Sequence, residues 1–327
     1  MERVYKHYYF IIRGLYKFND FIERWMAFVT PSCLLFGVLF PQIAKHGVPY
    51  VPYVFAFITF TGALKSRFRD VANVFKAPWA LLVIMLLLHL VIPGVACGVG
   101  NLVFPDNANL VTGMVLEFAV PTAVVSMMWV TIYGGNSALT LALIVIDTVL
   151  APFLIPLTLR LFVGSRVTID MTHMIRRLIF MVAVPALAAM TLNEISRGRA
   201  QETLPKKLAP FSKMALIFVV ASNSSGVAPY VRHMTVERFE VAGLILCLAA
   251  GGYLVGMGIA RFMGQDRDTQ ISMMYGAGMR NISAGAVIAT TSFPGEVLFP
   301  VLIGTLFQQV LAALYGKILC DNSGKGQ

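Results

Sequence analysis

Four ionisable residues stand inside long apolar runs: His89, Glu117, Asp147 and Arg280. A charge at the centre of a membrane helix costs about 2.5–3.5 kcal/mol on insertion scales, so each must be paired, neutralised or facing water. Arg280 needs an acid, and Asp147 and Glu117 are its natural partners. Around Asp147, the residues Ser137, Thr140, Asp147 and Thr148 project onto one face at helical spacing. Such a stripe should face other helices, either as a static ion pair that fixes helix register or as part of an ion and substrate path. His89, alone on its run, reads most simply as a packing residue.

Two apolar runs are interrupted by helix-unfriendly residues. One reads Pro121-Thr122-Ala123-Val124-Val125-Ser126. The other reads Gly276-Ala277-Gly278-Met279-Arg280-Asn281-Ile282-Ser283-Ala284-Gly285. Pro121 removes a backbone donor and frees a carbonyl near Glu117, and the glycines permit unwinding. Unwound backbone at membrane depth is tolerated only where it lines a cavity or is buried in protein. A half-helix starting after each break would turn its N–H groups towards that cavity, which suits an anion. Breaks are therefore expected near 122–127 and 276–281, in segments that cross. Ser126, Arg280, Asn281 and Ser283 are the candidate anion-binding residues. The polar clusters Asn223-Ser224-Ser225 and Gln308-Gln309 read as interhelical hydrogen-bonding groups.

The elements that must position these residues follow from composition. The 327 residues are 57% hydrophobic and 13% charged, with mean hydropathy +0.75. A soluble domain carries roughly 25% charged residues. The sequence predicts an all-α polytopic membrane protein with ten spans near 27–44, 49–64, 77–104, 110–133, 138–162, 174–192, 214–231, 241–262, 271–291 and 297–320. The two interrupted runs are the fourth and ninth. The net charge of +10 lies between the spans, which points to the membrane rather than to nucleic acid. Counting Lys and Arg on alternate sides puts eighteen on the N-terminal side and seven on the other, so both termini are expected in the cytoplasm.

The basic connection 193–213 divides the spans five and five, and an odd number per half implies two inverted repeats. The chain is thus read as an amphipathic surface helix over 1–26 and a first five-helix repeat over 27–162. Span six and the cytoplasmic linker follow over 163–213, then the rest of the second repeat over 214–320 and a tail over 321–327. Ile11, Leu15, Phe18 and Ile22 make the apolar face of the first segment. No HExxH zinc motif is present, and Cys33, Cys97, Cys247 and Cys320 form no CxxC pair, so neither a metalloenzyme nor a cofactor is indicated.

At these same residues the chain resembles the bile acid:sodium symporter family. The resemblance is carried by Phe60 to Pro78, with Gly62-Ala63-Leu64, Arg69-Asp70 and Lys76-Ala77-Pro78. It continues in Pro121-x4-Ser126, Gly135-Asn136-Ser137-Ala138-Leu139-Thr140, and Leu150-Ala151-Pro152 with Pro156. Gly278-Met279-Arg280-Asn281 resembles the family's GMQN. It implies ten helices in inverted five-helix repeats, with helices four and nine discontinuous and crossing near two sodium sites. It also implies an organic anion as substrate, and a bacterial-type member in the cytoplasmic membrane. The departures fall on the sodium ligands. Ser126 and Thr140 keep hydroxyls, but the family's Asn is Met127, its Thr is Ile144, its Glu is Gly276 and its second-site Gln is Arg280. The span-three Gln falls on Leu88 or His89.

The expectation is a secondary transporter of a small organic anion, bile-acid-like or another carboxylate, working by alternating access without sodium because Arg280 replaces a sodium ligand. Asp147, Glu117, Thr140, His89 and Gly276 would form the coupling region, where a proton on Asp147 or Glu117 could supply the driving force. The alternative is a sodium-coupled symporter with a site rebuilt from Ser126, Thr140 and Asp147. A channel and a membrane enzyme are the readings furthest from this pattern, and oligomeric state is not encoded legibly.

Overall fold

The computed structural model describes residues 17, 19, 21, 22, 25–69 and 78–323. The amphipathic helix expected over 1–26 falls almost wholly outside these residues, as do Asp70 to Ala77 and the end of the tail. All described regular structure is helical, apart from one isolated bridge between Thr122 and Arg280.

The longer helices are α1 (Met26–Leu39), α2 (Val51–Ala63), α3 (Pro78–Val103), α4 (Ala108–Ala119), α5 (Ser126–Ile132) and α6 (Ser137–Val163). They continue as α7 (Met171–Ile195), α8 (Arg199–Ser224), α9 (Val236–Phe262), α10 (Arg267–Gly278), α11 (Ile282–Ser292) and α12 (Leu298–Ser323). Among the described residues, six are long and apolar enough to cross a membrane: α3, α6, α7, α8 as continued to Arg232, α9, and the stretch Gly295–Ile318 that contains most of α12. A seventh is added if Phe28–Leu39 and Pro41–Ala63, bent by 95° about Phe40, form one span. The remaining apolar pieces, α4 and α11 among them, are too short by themselves.

Helix α8 packs on α1 and α2, and α2 packs on α7. A second group joins α3 to α4, α4 to α6 and α12, and α9 to α10 and α12. Two helices carry π-helical turns, Leu87–Val91 in α3 and Ile179–Ala183 in α7. Each is explained by a proline: Pro93 and Pro185 lack the N–H that would bond the carbonyls of His89 and Met181 four residues earlier, and the turn widens there. The freed His89 carbonyl accepts instead from Thr158 Oγ1 on α6, at 3.0 Å.

The α9–α10 contact depends on glycine. A Cβ at Gly256 would stand 2.6 Å from the Met273 carbonyl oxygen and 2.7 Å from Ala277 Cβ. Gly256→Leu should force the helices apart and lower stability by about 1–3 kcal/mol, seen as an earlier melting midpoint in detergent. An unchanged midpoint would show that the contact is not tight.

Candidate functional site

The site begins at the two breaks. Helix α4 ends at Ala119 because Pro121 has no N–H and holds Val120 extended, at φ −71° and ψ 155°. Residues 120–125 are non-helical, and α5 starts at Ser126. In the other segment α10 stays helical through Gly278, and only 279–281 unwind. The glycines expected to unwind do not. They serve close approach: Gly278 presses on the Tyr253 ring, and a Cβ at Gly276 would stand 2.7 Å from Ile84 Cδ1 and from Leu143 Cδ2.

The breaks satisfy one another. Asn281 N–H donates to Pro121 O at 2.7 Å, and Ala123 N–H donates to Met279 O at 3.1 Å. Thr122 Oγ1 donates to Gly276 O at 3.2 Å. Thr122 N–H donates to Asp147 Oδ2 at 2.7 Å. Each unwound strand supplies the other's hydrogen-bond partners, the condition on which irregular backbone is tolerated inside a membrane protein.

Asp147, fully buried, therefore does not pair with Arg280. Its second oxygen bonds His89 Nε2 at 2.8 Å. Asp147 joins three segments: α6, the α4–α5 break and the π-helical turn of α3. His89 is correspondingly more than a packing residue. Glu117 is 2% exposed, with Oε2 unpartnered among the described residues. Its carboxyl occupies the space left by Gly304 of α12, where any Cβ would collide with it.

Arg280 is 2% exposed, and Nε, Nη1 and Nη2 all lack a hydrogen-bond partner among the described residues. Its backbone N–H donates to Gln308 Oε1 at 2.8 Å. A guanidinium is donor-only, so three buried nitrogens await an acceptor.

Arg280, Asn281 and Ser283 line a cavity of about 980 Å³. One wall is a single stripe of α8, comprising Ala209, Ser212, Leu216, Val219 and Asn223. Val124, Arg280, Ile282 and Leu302 also line it. Lys65, Gln201 and Lys206 lie at the end formed by the basic connections, where Lys65 and Lys206 are exposed. Ser126, Thr140, Asp147, Glu117, His89 and Gly276 are not among the lining residues. Ser126 Oγ is buried without a partner, and Thr140 Oγ1 donates to Asn136 O of its own helix at 3.0 Å.

The positions that the resemblance assigns to sodium ligands fit the ion poorly. Both Asp147 oxygens are engaged, and the space a carboxylate at position 276 would need is filled by Ile84 and Leu143. Sodium requires oxygen ligands, and the side chains of Met127 and Ile144 offer none.

The sequence reading undervalued Asn223 and Gln308. Gln308 holds the Arg280 backbone, while Gln309 accepts from Trp129 Nε1 at 3.1 Å, the expected interhelical bond. Ser224 and Ser225 bond within their own helix turn instead. Asn281 Oδ1 accepts from Ala284 N–H at 3.2 Å and caps α11. Asn281→Ala should thus cost about 1 kcal/mol of stability besides weakening anion binding. Thermal melting of Asn281→Ala against Asn281→Asp, which keeps the cap, separates the two effects; equal midpoints would exclude the cap.

Comparison with known proteins adds three findings. The model of the Sodium Bile acid symporter family matches residues 52–234. The YbaS protein of Bacillus subtilis is 38% identical over 294 residues, covering 90% of this chain and 96% of its own. The protein named sodium-dependent transporter YocS, from the same organism, is 23% identical over 258 residues, covering 79% and 78%. The probable sodium/metabolite cotransporter BASS1 of Arabidopsis thaliana is 23% identical over 293 residues, covering 89% and 71%.

Proposed function

The chain belongs to the sodium bile acid symporter family, a family of transporters and not of enzymes, and from that premise we propose that it carries a small organic anion by alternating access. The observation that carries this reading is the buried guanidinium of Arg280, whose three nitrogens have no hydrogen-bond partner among the described residues, in a residue that lines a large cavity beside two broken helices. Binding a carboxylate there replaces an unmet donor set with a charge-assisted bidentate pair.

In this reading the chain has ten spans in two inverted five-helix repeats, and the interrupted segments α4–α5 and α10–α11 are spans four and nine. Both termini are cytoplasmic, which makes the cavity mouth at Lys65 and Lys206 the inward one. Ser283 and Asn281 orient the anion. Ser126, Thr140, Glu117, Gly276 and the His89–Asp147 pair form the region that couples occupancy to movement.

Transport is proposed to run without sodium. The fixed cation of Arg280 stands where the resemblance expects a sodium ligand, and a second cation nearby would be repelled. The names of YocS and BASS1 favour the rival reading, sodium-coupled symport through a site rebuilt from Asp147, Glu117, Ser126, Thr140 and backbone carbonyls. A panel of carboxylates is screened by thermal shift, and the best binder is followed into proteoliposomes with sodium replaced by choline at fixed pH. Uptake should persist with saturation and counterflow. A strict sodium requirement abolished by Thr140→Ala would establish the rival.

A further inference from the structure

Asn223 is fully buried on the cavity stripe of α8, and neither its carboxamide oxygen nor its nitrogen has a hydrogen-bond partner among the described residues. Buried polar atoms are nearly always bonded, and an unbonded carboxamide destabilises the fold that holds it. Its neighbours show why it faces the cavity. Ala221 and Ser224 are packed against Gly37 of α1, and Ser222 against Gly47. The hydroxyls of Ser224 and Ser225 each bond a carbonyl of their own turn at 2.7 Å. Of the triplet, Asn223 is the member that lines the cavity.

Because Asn223 on α8 and Arg280 line the same cavity, we propose that Asn223 forms a second ligand subsite, one that reads a neutral hydroxyl or amide group on the transported anion. The inference rests on the organic-anion reading above. Arg280 offers donors only and meets the charge. A carboxamide offers one donor and one acceptor side by side, and its complement is a group that both accepts and donates. The same cavity carries apolar lining from Ile58, Val124, Leu216, Val219 and Leu302. The ligand so described is an anion with an apolar body and a hydroxyl or amide at a distance from its charge. It would bond the α1–α2–α8 group through Asn223 and the other helix group through Arg280, so occupancy would tie the two together.

The test uses the full-length protein in detergent, with hexanoate and the five positional monohydroxyhexanoates as probes, titrated calorimetrically. At least one hydroxylated acid should bind about tenfold tighter than hexanoate, two net hydrogen bonds being worth that much. Asn223→Leu, of similar volume, should erase the preference and leave hexanoate affinity within about threefold. Its ligand-free melting midpoint should be unchanged or higher, because two unmet polar atoms are gone. Asn223→Ser, keeping a donor and an acceptor, should retain part of the preference. A parent that binds hexanoate and all its hydroxylated forms equally overturns the subsite alone, as does Asn223→Leu that keeps the preference, melts markedly earlier or does not fold. Failure of all six acids to bind overturns the organic-anion reading, and the subsite with it.

Discussion

Arg280→Gln is expected to weaken carboxylate binding by at least about 30-fold. Removing one partner of a desolvated, hydrogen-bonded charge pair costs 2–5 kcal/mol, and each 1.4 kcal/mol is a factor of ten in affinity. Arg280 is suited to a loss of that size, because Nε and both Nη atoms are buried and have no hydrogen-bond partner among the described residues. Glutamine is the residue the family resemblance places here, yet the exchange should not confer sodium dependence. Met127, Ile144 and Gly276 remain, and Ile84 and Leu143 still fill the space beside position 276. Arg280→Lys should fall between the two, since an ammonium cannot give the planar two-point bond. Titration of a bound carboxylate into the three proteins, with and without sodium, decides it. Binding by Arg280→Gln within about threefold of the parent would remove Arg280 from the ligand site.

Asp147→Ala should be the most destabilising single change in the region, by about 2–5 kcal/mol, the cost of leaving two buried donors unmet. The substitution leaves the Thr122 N–H and His89 Nε2 without acceptors at a depth where water cannot replace them. Asp147→Asn keeps one oxygen that can accept from Thr122 N–H and should lose less than half as much. Melting in detergent, or recovery of folded protein, measures the series. If Asp147→Ala melted with the parent, the bridge between α3, α6 and the α4–α5 break would not be holding the fold. Gly304→Ala belongs to the same structural logic, since its methyl group would displace the Glu117 carboxyl, but it offers the chain more room to adjust.

Much of this architecture is written locally. A 57% hydrophobic chain cannot cover itself with charge in water, and runs of apolar residues become helices because each backbone group finds its partner four residues away. Pro121 ends α4 wherever α4 lies, for it has no N–H to give. The unwinding in the other segment was less legible. The sequence shows glycines at 276, 278 and 285, but Gly276 and Gly278 stay helical because Leu143 and Tyr253 pack onto them, and Met279 to Asn281 open to meet Pro121 and Ala123.

Sequence by itself determined which residues are anomalous: an arginine, two carboxylates and a histidine in apolar surroundings must have a reason, whatever their neighbours. It also determined where helices fail, since proline chemistry is local. Only the tertiary structure decided the partners. Asp147 faces His89 and Thr122 rather than Arg280 because the rotation of α6 against α3 is set by packing and by the π-helical turn, which no spacing along either helix specifies. Asn223 and Asn193 look alike as buried polar residues, yet Asn193 donates to Leu64 O and Ser66 O at 2.8 Å while Asn223 meets a cavity. The difference lies in what stands across the gap, and that depends on how independently formed helices pack together, which their separate sequences do not record.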